Sequence, residues 1–231
     1  QGAGDAGDIV IRGPGSTGET VVPASRIVLV DGAAITADAI PEAPQTVIEL
    51  LGLDPEGLAS ETIGRAGDIE IAADDLLLDN QARLSTSSTT GDGGNIVLRD
   101  LGVLRLRRGN NVGGVFTDGG ANQAIGDGGR IFITADLIFA VDQENTDISA
   151  TAFIGRGGGI KITTQGDPIG IEFRPDRTGL SDITAGSEQG PQGTVDLDVL
   201  GFDPTQGSDN LPQEPSAPAL IQGCQTGASR D

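Results

Sequence analysis

Three arginines stand within a span of four residues and form the only concentration of positive charge in the sequence. Arg105, Arg107 and Arg108 belong to the segment VLRLRR. Leu104 and Leu106 alternate with the first two arginines, which is the pattern of a strand with one buried face. We therefore interpret the three arginines either as an ordinary solvated face or as a binding patch for an acidic polysaccharide or a neighbouring molecule.

Residue types that commonly carry catalysis are missing or scattered. The sequence contains no His, and its single cysteine, Cys224, lies in a segment rich in Pro, Gly and Ser. Acid–base chemistry would then fall to carboxylates, which serve near neutral pH only when burial or a close neighbour shifts a pKa. The Asp and Glu residues stand mostly at turns, so we expect them to be exposed and a whole repeat apart. The sequence therefore predicts no catalytic residue and no cofactor.

Two aspartates at equivalent positions raise the question of calcium. Asp92 and Asp127 follow the first Gly of a recurring phrase, but Arg65 and Arg156 hold that position in two other copies. The calcium-binding nonapeptide repeat also has a period of about nine residues, whereas this phrase recurs about every thirty. We therefore predict no repeated metal site.

The overall charge limits the partners of the protein. The 231 residues include 14 basic and 34 acidic side chains, which gives a formal net charge of −20. A surface this acidic repels nucleic acid and anionic lipid, and it keeps the protein soluble. The chain also contains no apolar run of about 18 residues. The sequence thus predicts no nucleic-acid partner and no membrane-spanning segment.

One glycine-rich phrase recurs six times and organises the chain. It reads GDAGDIVI from Gly4, GRAGDIEI from Gly64, GDGGNIVL from Gly91, GDGGRIFI from Gly126, GRGGGIKI from Gly155 and GPQGTVDL from Gly190. Its two glycines are expected to adopt positive φ in a tight turn. Its aliphatic–x–aliphatic triplet is expected to form a strand with one buried face. A recurrence of this kind is typical of stacked repeat architectures.

Two further apolar segments follow the phrase in most repeats. The second segments are 26–30, 76–78, 103–106, 137–141 and 169–173, and the third are 35–37, 84–86, 148–150 and 183–185, with an irregular one around 115–117. Turn residues separate the second segment from the third. Three short strands per repeat, without helices, predict an all-β fold: a three-sided parallel β-helix, or solenoid, of about six coils.

The prediction of a β-helix also fixes the buried positions and the domain boundaries. Residues 1–200 are predicted to form the repeats, and residues 201–231 a Pro- and Gly-rich C-terminal tail or cap. Residues 41–60 are an insertion that contains a predicted short helix over 44–51. The aliphatic positions of the phrase are predicted to stack in one inward ladder: Ile9, Ile11, Ile69, Ile71, Ile96, Leu98, Ile131, Ile133, Ile160, Ile162, Val195 and Leu197.

These motifs together resemble a known family. The phrase GDGGNI, the Ile-Thr-Ala endings of the third segments, the run from IGIEF to LSDITAGS (169–187) and the LIQGC run (220–224) resemble the C-terminal part of cyanobacterial filamentous haemagglutinin-like exoproteins of the two-partner secretion type. The resemblance covers essentially residues 1–231. It implies a right-handed parallel β-helix that passes through an outer-membrane partner pore of a Gram-negative bacterium and stays extracellular or on the cell surface.

The same resemblance implies a structural or adhesive role without catalysis. Its partners would be extracellular polysaccharide or neighbouring cells, and the family provides no catalytic residue to assign. The N-terminal secretion domain that defines the family is not in this chain, so the export route is inferred from the resemblance alone. The alternative is a carbohydrate-active β-helix enzyme or a polysaccharide-binding module. A cleft with several acids on one face would favour that alternative.

Overall fold

The computed structural model describes residues 5–17, 20–39, 64–120 and 124–201. Within these residues the regular structure is strand, apart from one 3-10 turn at Asp142–Glu144. The predicted insertion at 41–60 with its helix, the tail from residue 202 and Cys224 lie outside the described residues. The strands are β1 (Ile9–Ile11), β2 (Ile27–Leu29), β3 (Ala34–Thr36), β4 (Ile69–Ala72), β5 (Asp75–Asp79), β6 (Arg83–Ser85), β7 (Asn95–Arg107), β8 (Gly114–Phe116), β9 (Arg130–Phe139), β10 (Asp147–Ser149), β11 (Gly159–Thr164), β12 (Glu172–Phe173), β13 (Asp182–Thr184) and β14 (Thr194–Val199).

The strands form two sheets, and each strand pairs with its counterparts in neighbouring repeats. The first sheet has the order β1-β4-β7-β9-β11-β14, with β5 pairing with both β2 and β7, and the second has the order β12-β13-β10-β8-β6-β3. All of these pairings are parallel. The predicted all-β class is therefore confirmed, with parallel sheets.

The predicted inward ladder is present in the first sheet. Ile9, Ile69, Ile96, Ile131, Ile160 and Val195 stand in register, one per repeat, and so do Ile11, Ile71, Leu98, Ile133, Ile162 and Leu197. The middle members are fully buried, whereas Leu197 on the last strand is 45% exposed. Each buried aliphatic side chain contributes about 1.5–3 kcal/mol of transfer free energy. The in-register stack is thus a main source of stability.

The third segments form the second sheet, and the segment expected to be irregular belongs to it. Val115 lies in register with Leu84 on one side and with Ile148 on the other. It is fully buried, as are both neighbours. Gly114 precedes it with a φ of 143°, a conformation that L side chains rarely adopt. The sequence of this segment looked irregular because a glycine precedes its inward Val115 where other repeats have Arg83, Asp147 or Asp182.

The separation into three strands per repeat is only partly correct. In the repeats from Gly91 and Gly126, the first and second segments join into the single strands β7 and β9. Their pairing shifts register between Leu98 and Leu101, and Asp100 there has a φ of 60°. Such a bulge turns the strand without ending the ladder. The first and second segments consequently belong to one sheet.

The segment 169–173 does not form a complete second strand, as had been predicted. Ile169 makes only an isolated bridge with Phe139. Glu172 and Phe173 instead pair with Asp182 and Ile183 of the same repeat. Strand β12 therefore occupies the position at the edge of the second sheet where a following repeat would place its third strand.

The glycines of the phrase have a different role from the predicted one. None of Gly67, Gly94, Gly129, Gly158 and Gly193 has a positive φ. A Cβ atom on each would overlap the carbonyl group of the corresponding glycine in the preceding repeat. The prediction of a positive-φ turn was wrong at these positions. Glycine is needed because the main chains of adjacent repeats approach too closely for any side chain.

Candidate functional site

The structure brings the three sequence-predicted arginines together but pairs each with a carboxylate. Arg105 and Arg107 project from β7 between the buried Leu104 and Leu106, as the alternation predicted. The nitrogen–oxygen distances are 2.5 Å from Arg105 to Asp75, 2.8 Å from Arg107 to Glu144 and 2.6 Å from Arg108 to Asp79. Asp75 and Asp79 come from the preceding repeat and Glu144 from the following one.

These partners balance the charge of the arginine patch. The hydrogen bond from Arg107 holds the pKa of Glu144 below its usual range, and the bond from Arg108 does the same for Asp79. The Arg107 guanidinium also lies 6.0 Å from the centre of the Phe139 ring. The geometry ties the arginines to adjacent strands. Polysaccharide binding at Arg105, Arg107 and Arg108 stays a prediction.

Carboxylates on the exposed faces are shared between repeats in the same way elsewhere. Glu70 accepts from Arg12 of the preceding repeat at 3.0 Å and also pairs with Arg99 of the following one. The hydrogen bond from Arg99, followed by that from Arg12, keeps the pKa of Glu70 below its usual value. The strands therefore carry charged pairs that run along the stacking direction, which is the arrangement that stabilises neighbouring strands.

The corner aspartates considered for calcium bind the protein main chain. Asp92 accepts the main-chain N–H of Asp127 at 2.8 Å, and Asp127 accepts that of Arg156 at 2.7 Å. Asp5 accepts the N–H of Arg65 in the same way at 3.1 Å. Among the described residues, no group of three or more His, Cys, Asp or Glu side chains is arranged to hold a metal ion. The corner carboxylates thus serve to join one repeat to the next.

One pair of acids departs from the expectation that carboxylates are exposed and a whole repeat apart. Asp147 and Asp182 begin the adjacent strands β10 and β13, and both are completely buried. The main-chain N–H of Asp182 donates to Asp147 at 3.0 Å. The expectation was wrong here because parallel strands lie only about 4.8 Å apart, so equivalent residues in neighbouring repeats become direct neighbours.

Residues 174–181, which we call the strap, hold this pair of acids. Arg174 forms an ion pair with the buried Asp182, and Arg177 contacts Asp118 at 2.6 Å. Arg177 also donates to the Ser149 hydroxyl at 3.1 Å, and its guanidinium lies 4.8 Å from the centre of the Phe116 ring. The strap therefore reaches from β13 to β10 and β8 on the second sheet.

One member of the buried pair, Asp147, has an unusual pKa. Burial raises the pKa of Asp147 to about 6, and the nearby carboxylates of Asp182 and Asp118 act in the same direction. The Asp182 N–H and the Arg177 charge oppose this rise. One Asp147 oxygen, Oδ2, has no hydrogen-bond partner within the described part of the chain. A carboxyl group with this pKa could donate or accept a proton near neutral pH, but only where a substrate could reach it.

The sequence contains a signal for this pair. Asp147-Ile148-Ser149 and Asp182-Ile183-Thr184 share an Asp directly before the inward Ile of the third segment. Two equivalent aspartates in consecutive repeats must be neighbours once the strands stack in register. The two acids are 35 residues apart along the chain but direct neighbours across the sheet.

Comparison with known proteins does not assign the chain to a family. No family model matches the chain, and neither the curated proteins nor the solved structures give a significant match. Within the residues that the structure describes, no helix is long and apolar enough to cross a membrane.

Proposed function

We propose that residues 5–201 belong to a right-handed, three-sided parallel β-helix of about six coils. The observation that supports it is the parallel pairing that continues from β1 to β14 in one sheet, with one register shift between Leu98 and Leu101, and from β3 to β13 in the other. Each of the first five repeats adds one or two strands to the first sheet and then one or two to the second, and the last repeat adds β14 to the first sheet. Parallel strands joined by crossovers are almost always right-handed, which supports the handedness.

We further propose that this β-helix is a structural or adhesive segment of an extracellular protein and is not an enzyme. The carboxylates support this proposal, because most of the charged pairs join one strand to the next. The glycine columns and aliphatic ladders likewise serve the stacking of repeats. Such a solenoid gives a long, regular surface suited to contact with polysaccharide or other cells.

The proposed route to the cell surface is export through an outer-membrane pore of the two-partner type. The experiment is antibody labelling of intact cells of the source bacterium with serum raised against this chain, together with digestion by external protease. We expect surface signal that protease removes and that deletion of the partner pore abolishes. Signal found only after the cells are lysed would contradict the extracellular assignment.

A carbohydrate-active β-helix enzyme is the second candidate, and one observation favours it. Asp147 and Asp182 lie on the second sheet, Asp118 follows the end of its strand β8, and the pKa of Asp147 is raised to about 6. Paired carboxyl groups with separated pKa values are the usual machinery of glycoside hydrolysis. However, Asp147 and Asp182 are completely buried, and Arg174 and Arg177 of the strap bind the acids from outside. We therefore rank this candidate second.

A further inference from the structure

Two arginines outside the Arg105–Arg108 patch lie beside a notch with a glycine floor. Arg130 and Arg156 are exposed and, within the described residues, neither forms an ion pair. Both line a notch of about 270 Å³ at the corner between the second and first sheets, together with Gly159, Gln192 and Thr194. In a chain with a net charge of −20, these two guanidinium groups without an ion pair make the notch a local concentration of positive charge.

The notch exists because one position in a column of polar side chains is a glycine. The column contains Asp68, Asn95, Arg130, Gly159 and Thr194, one per repeat. Elsewhere in the column, Asp68 accepts both the main-chain N–H and the side-chain amide of Asn95, at 2.8 and 2.9 Å. Gly159 has no side chain to fill its place between Arg130 and Thr194. A space is therefore left open at this level of the stack.

The glycine at this position is not required by the backbone. Gly159 has no positive φ, and a Cβ atom there would come no closer than 3.8 Å to Arg130 Cγ and to Thr194 Oγ1. This differs from Gly129 and Gly158, where neighbouring main chain excludes any side chain. The fold would therefore accept a side chain at position 159. The packing does not require glycine there, and the missing side chain leaves the notch open.

The polar groups around the notch suit an anion. Two guanidinium groups can each donate a forked pair of hydrogen bonds to a carboxylate or sulfate. The Thr194 hydroxyl is a further donor at the same notch. One carboxylate, Asp127, also lines the notch, but its Oδ1 already accepts the Arg156 N–H at 2.7 Å. The side chains therefore suit a single anionic group such as a carboxylate or a sulfate.

We propose that this notch binds the carboxylate of a uronate residue in an acidic polysaccharide. Its volume of about 270 Å³ is just below the roughly 300–1,000 Å³ of sites for drug-sized ligands, so the notch is of a size for one sugar residue. The neutral floor of glycines allows the sugar ring to approach the main chain. The anion site rests on the geometry, whereas the choice of polysaccharide as the source rests on the extracellular function proposed above.

The chain offers a matched control for the charge of the notch. Arg65 occupies the position of Arg156 in the second repeat, is exposed, and has no ion pair among the described residues. Its main-chain N–H donates to Asp5 as that of Arg156 donates to Asp127. The residue three positions after Arg65 is Asp68, whereas Gly159 stands three positions after Arg156. Arg65 therefore has the same charge and the same main-chain hydrogen bond as Arg156. It differs in having the Asp68 carboxylate where the notch at Gly159 is open.

Calorimetric titration of the whole chain tests the proposal. The probes are a galacturonate tetramer, a neutral oligosaccharide of the same length, and inorganic sulfate. We expect saturable binding of the tetramer, competition by sulfate, and no binding of the neutral oligomer. Arg130→Gln and Arg156→Gln should each weaken binding by about tenfold, as expected for loss of charge-assisted hydrogen bonds, while Arg65→Gln should leave it unchanged.

Gly159→Val provides the decisive variant, because it fills the notch without removing a charge. Valine suits a strand position, so the melting temperature should not fall. We expect binding to weaken by about tenfold or more. Unchanged binding in Gly159→Val, or equal weakening in Arg65→Gln, would show that only diffuse attraction acts and would overturn the site. Sulfate binding without tetramer binding would overturn the polysaccharide assignment. These binding results are independent of the cellular location of the protein, so they can be separated from failure of the proposed extracellular function.

Discussion

The main-chain carbonyl of Gly94 lies where a side chain on Gly129 would begin. A Cβ atom on Gly129 would overlap that carbonyl and would also stand 2.9 Å from the Cβ of Thr117. Both obstacles belong to the preceding repeat, where Gly94 adjoins β7 and Thr117 adjoins β8, so they cannot move without displacing a ladder. The glycines of the repeat phrase therefore lie at the points where the main chains of consecutive repeats come closest.

We predict that Gly129→Ala destabilises the protein severely. The added methyl group meets main chain, so relief requires that two repeats separate, at a cost of about 3 kcal/mol or more. Gly7→Ala is the matched control, since it lies in the same column on the first strand pair and a Cβ there meets nothing within 4 Å. Thermal unfolding followed by circular dichroism measures both. Equal melting temperatures for the two variants would contradict the role of the glycine column.

We predict a similarly large effect from Ile133→Asp. Ile133 is 1% exposed, and its neighbours in the ladder are Leu98 and Ile162. An aspartate there would be buried without a partner, which typically costs more than about 4 kcal/mol. Phe132→Asp is the control, because Phe132 points outward and is 41% exposed. Denaturant unfolding should show a large loss for the first variant and less than about 1 kcal/mol for the second.

The contrast between these two neighbours shows what the sequence could reveal. The inward ladder could be predicted from period-two alternation in a repeated phrase, because hydrophobic burial depends only on which side of a strand a residue occupies. The path of β12 could not be predicted, since its pairing with β13 depends on how residues 174–181 fold back. The Asp147–Asp182 pair required register between repeats, which emerges only when the two sequences are aligned strand against strand.

Replacing Arg174 of the strap is predicted to destabilise the second sheet. Arg174 pairs with Asp182, whose side chain is 0% exposed, and it also contacts Asp142 at 3.3 Å. Arg174→Gln leaves the buried carboxylate without its cation, so the melting temperature should fall by several degrees. Arg26→Gln removes an exposed ion pair and should change it little. Hydrogen exchange should show faster exchange at β13 in the first variant, and unchanged protection would contradict the role of the strap.

The raised pKa of Asp147 predicts that this residue makes the fold less stable as pH rises. The folded-state pKa is about 6, whereas an unfolded aspartate titrates near about 3.9. The folded protein thus holds the proton more tightly, so this contribution to stability is complete below pH of about 4 and is lost as pH rises through about 6.

The Asp147→Asn variant isolates that contribution. Asparagine keeps an acceptor for the Asp182 N–H but carries no charge, so at pH 7 the variant should be more stable by about 2–3 kcal/mol. At pH 4 the two proteins should be equally stable within error. The quantity to measure is the difference in unfolding free energy between the two proteins. Glu70, Asp79 and Glu144 have lowered pKa values and lose their contributions to stability as pH falls, but they do so equally in both proteins. A difference that does not depend on pH would contradict the assignment to Asp147.

The last prediction is that the chain does not turn over polysaccharides. The acids with the most suitable chemistry, Asp147 and Asp182, are 0% exposed, and Arg174 and Arg177 bind the carboxylates around them. A substrate could reach them only if the strap were displaced. Incubation with a panel of acidic and neutral polysaccharides, followed by measurement of new reducing ends and of unsaturated products, tests this directly. Turnover that survives repurification and disappears in Asp147→Asn or Asp182→Asn, while Asp5→Asn at an equivalent corner away from the notch retains it, would establish the enzymatic alternative and overturn the structural proposal.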